Sequence, residues 1–331
     1  AELLAMEPIK AAAVLSLDPA TSRGAVTAQM IITLPLKKEL PRQSVTYSVE
    51  ADLSGFSADR LVRGQKAEAA SLHVSATHNG LQIKGDMKIA GTPAAVDYRL
   101  VRGESEAELR AQAMLDDEAR ARLGLDFDDK LSGPVPVKLN GRIRLGDREG
   151  RLAVEADLTQ AKVTELLPGW NKSPGRPARM TFVLVDRGQS MRLEEFALDG
   201  AGVNVKGAVE LGAGGEILHA NLPTFVVSDG DKASLKADRT SDGALKVVLR
   251  GDLFDGRGLI KSGIMGHKPE GRTHRAPDVD LDIKLGAITG YHGEALRGVE
   301  LRLSRRGGQI RSFSLAAGIG ANARLSGEMR S

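Results

Sequence analysis

The chain contains no cysteine. That excludes a disulfide framework, a thiolate metal site and a cysteine nucleophile. Aromatic residues are scarce, 3% of 331 residues, with a single tryptophan, Trp170. Aromatic side chains usually carry much of the buried area of a compact core. Their scarcity argues against one large globule and for a thin, repetitive β-structure that buries small aliphatics. No run approaches the ~18–20 apolar residues of a membrane-spanning helix. The first residues lack a basic stretch followed by an apolar one, the pattern of a secretory leader. Charge of one sign is lacking too: Lys and Arg number 46 against 43 Asp and Glu, a formal net charge of +3. A nucleic-acid binder would cluster basic residues toward phosphates, so the balance argues against that partner despite a sequence pI near 9.0.

Alternation of apolar and polar residues is what the chain has in abundance. Gly24–Leu34 is a long strand candidate. In Ser44–Leu53, Val45, Tyr47, Val49, Ala51 and Leu53 share one face. Strands follow at 71–77, 81–89 and 95–101, separated by turns at His78-Asn79-Gly80 and Ala90-Gly91-Thr92-Pro93. Residues 107–115 set propensity against period. They are rich in helix formers, but Ala107, Leu109, Ala111 and Ala113 alternate strictly, so a strand is expected. A helix is expected next, over Asp117–Leu123, capped by Asp116 and stopped by Gly124. A second short helical turn is expected over Val163–Leu167, before Pro168-Gly169. Further strands are expected at 135–145, 150–158, 180–185, 191–198, 203–211, 216–220, 224–227, 233–237, 244–249 and 253–255. Residues 256–277, rich in Gly, Lys, Arg, Pro and His, read as a linker. Strands resume at 279–285, 299–303, 310–315 and 321–329. The sum is roughly twenty strands with little helix, and few crossover-length helical connections, so a parallel α/β sheet is not expected.

The chain also resembles itself. Val49-Glu-Ala-Asp-Leu53 recurs as Val154-Glu-Ala-Asp-Leu158, and Leu81-Gln-Ile-Lys-Gly85 is echoed by Val203-Asn-Val-Lys-Gly207. The hairpin from Val185 to Leu198 matches the one from Ser304 to Leu315, each returning with Phe-x-Leu after a Gly turn. Such a meander cannot bury its apolar face alone, and stacking copies edge to edge makes one extended sheet.

Two stretches carry a family resemblance. Asp117-Glu-Ala-Arg-Ala-Arg-Leu-Gly124 followed by Leu131-Ser-Gly-Pro-Val-Pro-Val137 looks like the mid-chain domain of unknown function of the AsmA-like superfamily, in particular of its large periplasmic, inner-membrane-anchored YhdP-type members. The run from Gly290 to Gly308 is similar to the start of the AsmA-like C-terminal region. The resemblance implies an all-β, long, curved, mainly antiparallel groove with one or two short helices. It implies residues 1–255 as the YhdP-type groove domain, 256–277 as linker and 278–331 as the start of the C-terminal β-region. It further implies a periplasmic location, phospholipid acyl chains as ligand, and lipid transport between inner and outer membranes. The partners it implies are the inner membrane, through an anchor outside this sequence, and outer-membrane or envelope proteins. The ending at Ser331, just after a strand-like stretch, reads as that of a piece of a longer protein. Which strand face lines the groove is left open.

Each candidate chemical motif also has a plain structural reading. The six histidines, at 73, 78, 219, 267, 274 and 292, show no metal spacing such as HExxH. His267 and His274 read as solvated linker residues. Asp278, Asp280 and Asp282 alternate on one strand face; a calcium site is the alternative to a solvated outer face, which the opposing Val279, Leu281 and Ile283 favour. Asp126, Asp128 and Asp129 lack the glycine and glutamate of an EF-hand loop. Gly212-Ala-Gly-Gly215 lacks the helix and Lys-Ser/Thr of a phosphate loop and reads as a hairpin turn. The cluster Lys261, Lys268, Arg272, His274 and Arg275 is weighed as a headgroup contact against ordinary linker composition. No Gly-x-Ser-x-Gly element is present, and paired carboxylates beside aromatic platforms are not expected. The expectation is therefore no catalytic residue, cofactor or metal. The leading reading is a lipid-binding groove; the alternative is an assembly scaffold for outer-membrane biogenesis acting through protein contacts.

Overall fold

The structure, a computed structural model, describes residues 21–36, 46–62, 65–125, 127–144, 150–261, 278–291, 294–320 and 322–331. It is all-β, with strands joined mainly in antiparallel pairs and two short α-helices among the described residues. The chain divides into two units. Unit one holds Ala1–Asp126 and Pro134–Ala156; unit two holds Phe127–Gly133 and Asp157–Ser331.

Unit one is a meander. Its strands are β1 (Ser22–Thr33), β2 (Thr46–Val62), β3 (Gln65–Thr77), β4 (Gly80–Ile89), β5 (Thr92–Val101) and β6 (Glu106–Leu115), then β8 (Val135–Arg144) and β9 (Gly150–Asp157). Each is antiparallel to the next in this order. The period outweighs the propensity at 107–115, which is strand β6. Its alternate side chains face a sheet with an apolar side, and tertiary context overrides an intrinsic preference of a few tenths of a kcal/mol per residue. Helix α1 (Asp117–Arg122) follows, and the Asp116 carboxylate accepts the Ala119 N–H at 2.8 Å, as the N-cap expectation requires. The Arg120 guanidinium, buried, donates to the Leu115 carbonyl at 2.8 Å, joining helix to strand end.

Unit two contains a small antiparallel sheet of β7 (Leu131–Ser132), β10 (Lys162–Thr164) and β11 (Asn171–Lys172). Here the expected helical turn at Val163–Leu167 is corrected. Lys162–Thr164 pair as a strand, Glu165 sits at φ 53°, and Trp170 N–H closes a turn on the Leu167 carbonyl at 3.0 Å. The long elements are β12 (Ala178–Asp186), β13 (Ser190–Gly200), β14 (Val203–Gly212), β15 (Ile217–Val226), β16 (Lys232–Arg239) and β17 (Leu245–Asp255), all antiparallel in order. The expected breaks at 221–223 and 250–252 are not ends of strands. The chain runs on through a register shift that adds a residue and bends the strand.

After β17 comes α2 (Arg257–Lys261), inside the stretch read as linker; residues 262–277 lie outside the described residues. Then follow β18 (Val279–Thr289), β19 (Ala295–Arg306), β20 (Gln309–Ile319) and β21 (Ala323–Arg330). β17 and β18 pair in parallel, from Leu245 opposite Val279 to Asp255 opposite Thr289, and the remaining pairs are antiparallel. A parallel neighbour needs a crossover of a dozen residues or more. The 256–277 stretch has that length, and the strands on either side of it are hydrogen-bonded to each other.

Candidate functional site

In unit one the register aligns apolar residues into rows across the sheet. One row runs Ala28, Ala51, Val74, Ile83, Tyr98, Leu109, Gly141, Leu152 from β1 to β9. Beside it runs Met30, Val49, Ala76, Leu81, Leu100, Ala107, Ile143. On the other side runs Val26, Leu53, Leu72, Gly85, Val96, Ala111, Leu139, Val154. No charged residue interrupts these rows. Gly141 is glycine for a steric reason: a Cβ there would sit 2.1 Å from the Arg151 carbonyl oxygen.

Among the described residues, two apolar clusters of unit one draw their members from β2 to β8 of this same sheet. Val49, Ala51, Val74, Leu81 and Ala107 are buried, while Tyr47, Leu53, Leu100, Leu109 and Ile143 stay partly exposed around them. Tyr98 lies at the centre, 6% exposed, with its hydroxyl without a hydrogen-bond partner. Desolvation pushes that phenol up to about 12, so it stays protonated. Toward β1 the face opens. Val26 and Met30 are 59% and 54% exposed.

The opposite face is polar and cross-linked. His73 on β3 lies between two carboxylates of β2: Nδ1 is 3.0 Å from Asp52 and Nε2 3.1 Å from Glu50. The hydrogen bond to Asp52, with the nearby negative charge, raises the imidazole above its usual value. Ser75 Oγ donates to Glu50 at 2.8 Å, Gln82 Nε2 to Asp97 at 2.9 Å, and Lys84 pairs with Asp97 at 3.4 Å. Alternation alone separates these two faces, since successive strand residues point to opposite sides.

Unit two repeats the arrangement with larger side chains. One row runs Leu222, Leu235, Leu249, Ile283, Leu301, Leu315 from β15 to β20. The next runs Ala220, Ala237, Val247, Leu281, Leu303, Phe313, Met329. At the other end of these strands the rings of Phe225 and Phe254 stack with centroids 6.1 Å apart. The polar face again carries ion pairs, Arg250 with Asp282 at 2.9 Å, Lys284 with Glu300 at 3.2 Å and Arg306 with Asp280 at 2.7 Å, and His219 Nδ1 lies 2.6 Å from the Asp238 carboxylate.

The residues weighed for other chemistry fall as follows. Asp278, Asp280 and Asp282 go to three different partners: the Gly307 N–H at 2.6 Å, Arg306 and Arg250. The Arg306 hydrogen bond holds the Asp280 carboxyl below the usual range. Gly212–Gly215 form the turn between β14 and β15, with the Gly215 N–H on the Gly212 carbonyl at 3.0 Å. His78 lies in the turn after β3. Asp126, His267, Lys268, Arg272, His274, Arg275 and His292 lie outside the described residues. Among the described residues no group of three or more His, Cys, Asp or Glu side chains could hold a metal ion.

Sequence reasoning missed two buried ionic groups of unit two. Lys172, 2% exposed, donates from Nζ to the carbonyls of Ala161 (2.7 Å), Thr159 (3.1 Å), Arg176 (3.1 Å) and Ser173 (3.2 Å). Burial lowers its pKa. Asp231, also buried, accepts the N–H groups of Val227, Ser228 and Asp255 at 3.1, 2.9 and 2.8 Å. Burial raises that carboxyl above its ordinary value, against the pull of those three donors. Neither position carries a local pattern, because the partners are main-chain groups brought up by the fold. Comparison with protein families, curated proteins and solved structures gave no match to the chain.

Proposed function

We propose that this chain is a lipid-binding β-groove segment of the AsmA-like type, working in the periplasm as part of a longer conduit between inner and outer membranes. The observation that carries the reading is the unbroken apolar rows on one face of each unit, backed by a polar, ion-paired face. An acyl chain laid along such rows is desolvated at ~0.8 kcal/mol per CH₂. Contact with the chain falls to the partly exposed rim, Tyr47, Leu53, Leu100, Leu109 and Ile143, and to the open row on β1. The small residues Ala28 and Ala51 leave room beside it. The reading assigns no catalytic residue. Its ligand is the acyl part of a phospholipid, held without directional bonds, which suits a binder that lets its cargo slide.

The scaffold reading draws on one observation. Strand β1 pairs only with β2 among the described residues, and Val26, Met30, Ile31 and Ile32 are exposed along it. A long apolar edge is a template for pairing with another chain. The two readings part on bound lipid. Lipid extracted from the purified chain and analysed by mass spectrometry should contain phospholipid, and the chain should take up a fluorescent phospholipid. A lipid-free protein that takes up none would leave the scaffold reading standing.

A further inference from the structure

The polar face of unit two contains a place where the sheet is unzipped. The ladder between β15 and β16 covers only His219 opposite Asp238 to Leu222 opposite Leu235. It stops at the residue before Pro223. Proline has no N–H to donate and is poorly tolerated between two paired strands. Beyond it, β15 keeps pairing with β14, from Lys206 opposite Thr224 to Asn204 opposite Val226. On the other side β16 keeps pairing with β17, through Ser234 opposite Arg250 and Lys232 opposite Leu253. Residues 223–226 and 232–234 therefore diverge. The buried Asp231 carboxylate ties the Val227 and Ser228 N–H groups to the start of the Asp255 backbone, which fixes the turn that closes the gap.

The gap is a cleft of about 440 Å³, lined by Pro223, Thr224, Lys232, Ser234, Arg250 and Asp252 among others. The charges around it are uneven. Lys232 on its wall has no ion-pair partner among the described residues. The same holds for Lys206, whose register partner is Thr224, and for Lys236, opposite Asn221. The Arg250 guanidinium is engaged by Asp282 of β18, through its side chain at 2.9 Å and its carbonyl at 2.7 Å, on the side of β17 away from the gap. Asp252 is the one carboxylate on the wall, the Ser234 hydroxyl donates to the Arg250 carbonyl at 3.4 Å, and the Thr224 hydroxyl is a neutral donor there. On the same face Lys284 pairs with Glu300 and Arg306 with Asp280.

We propose that this cleft binds a phosphate-bearing anion, with Lys232 as the principal charge and the Thr224 hydroxyl and the unpaired strand-edge N–H groups as hydrogen-bond donors. Unpaired ammonium groups beside hydroxyls and strand-edge N–H groups are the donor set a phosphate monoester or diester takes. The site lies on the face opposite the apolar rows, so it does not depend on the lipid reading. The same chemistry is offered by a soluble phosphate compound and by a phospholipid headgroup. A peptide strand is disfavoured, because the seam is open over only a few residues on each side.

The test uses the full chain, with amide NMR shifts read against inorganic phosphate, against vesicles of phosphatidylglycerol and against vesicles of phosphatidylcholine. The proposal expects shifts confined to 223–226, 232–234 and 250–252. It expects Lys232→Glu to weaken binding about tenfold, the size of one lost charge-assisted contact. Lys138→Glu, the same charge change on β8 in unit one, should leave it unchanged. Response to free phosphate identifies a soluble ligand. Response to phosphatidylglycerol vesicles alone, localised to the same residues, identifies a headgroup. Shifts spread over the lysines generally, equal effects of the two variants, or no response to either probe would overturn the site. Thermal melts of both variants, expected to match the parent chain, keep a folding defect from imitating the loss.

Discussion

In unit one a central row of the apolar face reads Ala51, Val74, Ile83, Tyr98, Leu109, Gly141; in unit two its counterpart reads Leu222, Leu235, Leu249, Ile283, Leu301, Leu315. The architecture is shared and the filling differs. In unit one the small residues Ala51 and Gly141 flank larger side chains, whereas in unit two each position carries a branched aliphatic side chain. Unit one is a plain meander. Unit two departs from one at the parallel β17–β18 pair, the small sheet around Trp170 and the seam at Pro223. Those departures hold the buried ions, Lys172 and Asp231. The comparison teaches that alternation specifies an amphipathic sheet, while side-chain volume and local breaks decide where such a sheet can be tight and where it can accept something.

Variants can break or sharpen this contrast. The largest effect is expected from cavity formation in unit two. Leu249→Ala should cost about 3–4 kcal/mol, since Leu249 is 2% exposed. Val74→Ala in unit one removes fewer methyl groups and should cost about 2 kcal/mol or less. Urea denaturation measures both, and equal losses would erase the distinction drawn from volume. Next comes Lys172→Met, which strips the ammonium from four main-chain carbonyls. It should cost about 2–3 kcal/mol and speed amide exchange around 159–176 while leaving β2 to β5 protected.

Overpacking should reverse the order of the two units. Ala107→Leu on the fully buried position of unit one is expected to cost about 1–3 kcal/mol, whereas Leu301→Met in unit two should cost under about 1.5 kcal/mol. A tolerated Ala107→Leu would mean the unit-one face has slack that its burial denies. The smallest effect is the protonation of His73. Its folded pKa is raised, so its stabilising pairing is fully present below the unfolded value and is lost as pH rises through the folded one. Melting temperature should therefore fall slightly over that window, and His73→Gln should flatten the fall.

Much of this was legible. Strand positions follow alternation closely, and at 107–115 alternation is the better guide against composition. The Asp116 cap and α1 are readable because capping needs only local groups. What alternation cannot supply is pairing. Nothing in 244–255 or 279–289 marks the two strands as parallel neighbours, because that depends on where the intervening residues return the chain. Residues 163–167 mislead because apolar spacing there serves a turn packed around the buried Trp170, not a helix. The Pro223 seam is not legible in the sequence: a proline between two short runs reads as a strand end, and here the strand continues with its partner lost on one side.

The central claim is that acyl chains lie on the apolar rows and nowhere else. Leu109 and Arg110 are adjacent on β6 and face opposite sides of the sheet, Leu109 packed against the apolar cluster and Arg110 exposed. A photo-crosslinking residue placed at each, in the chain loaded with phospholipid, tests the claim directly. The account predicts lipid adducts at 109 and none above background at 110. Equal labelling of both positions, or labelling at 110 alone, would contradict it.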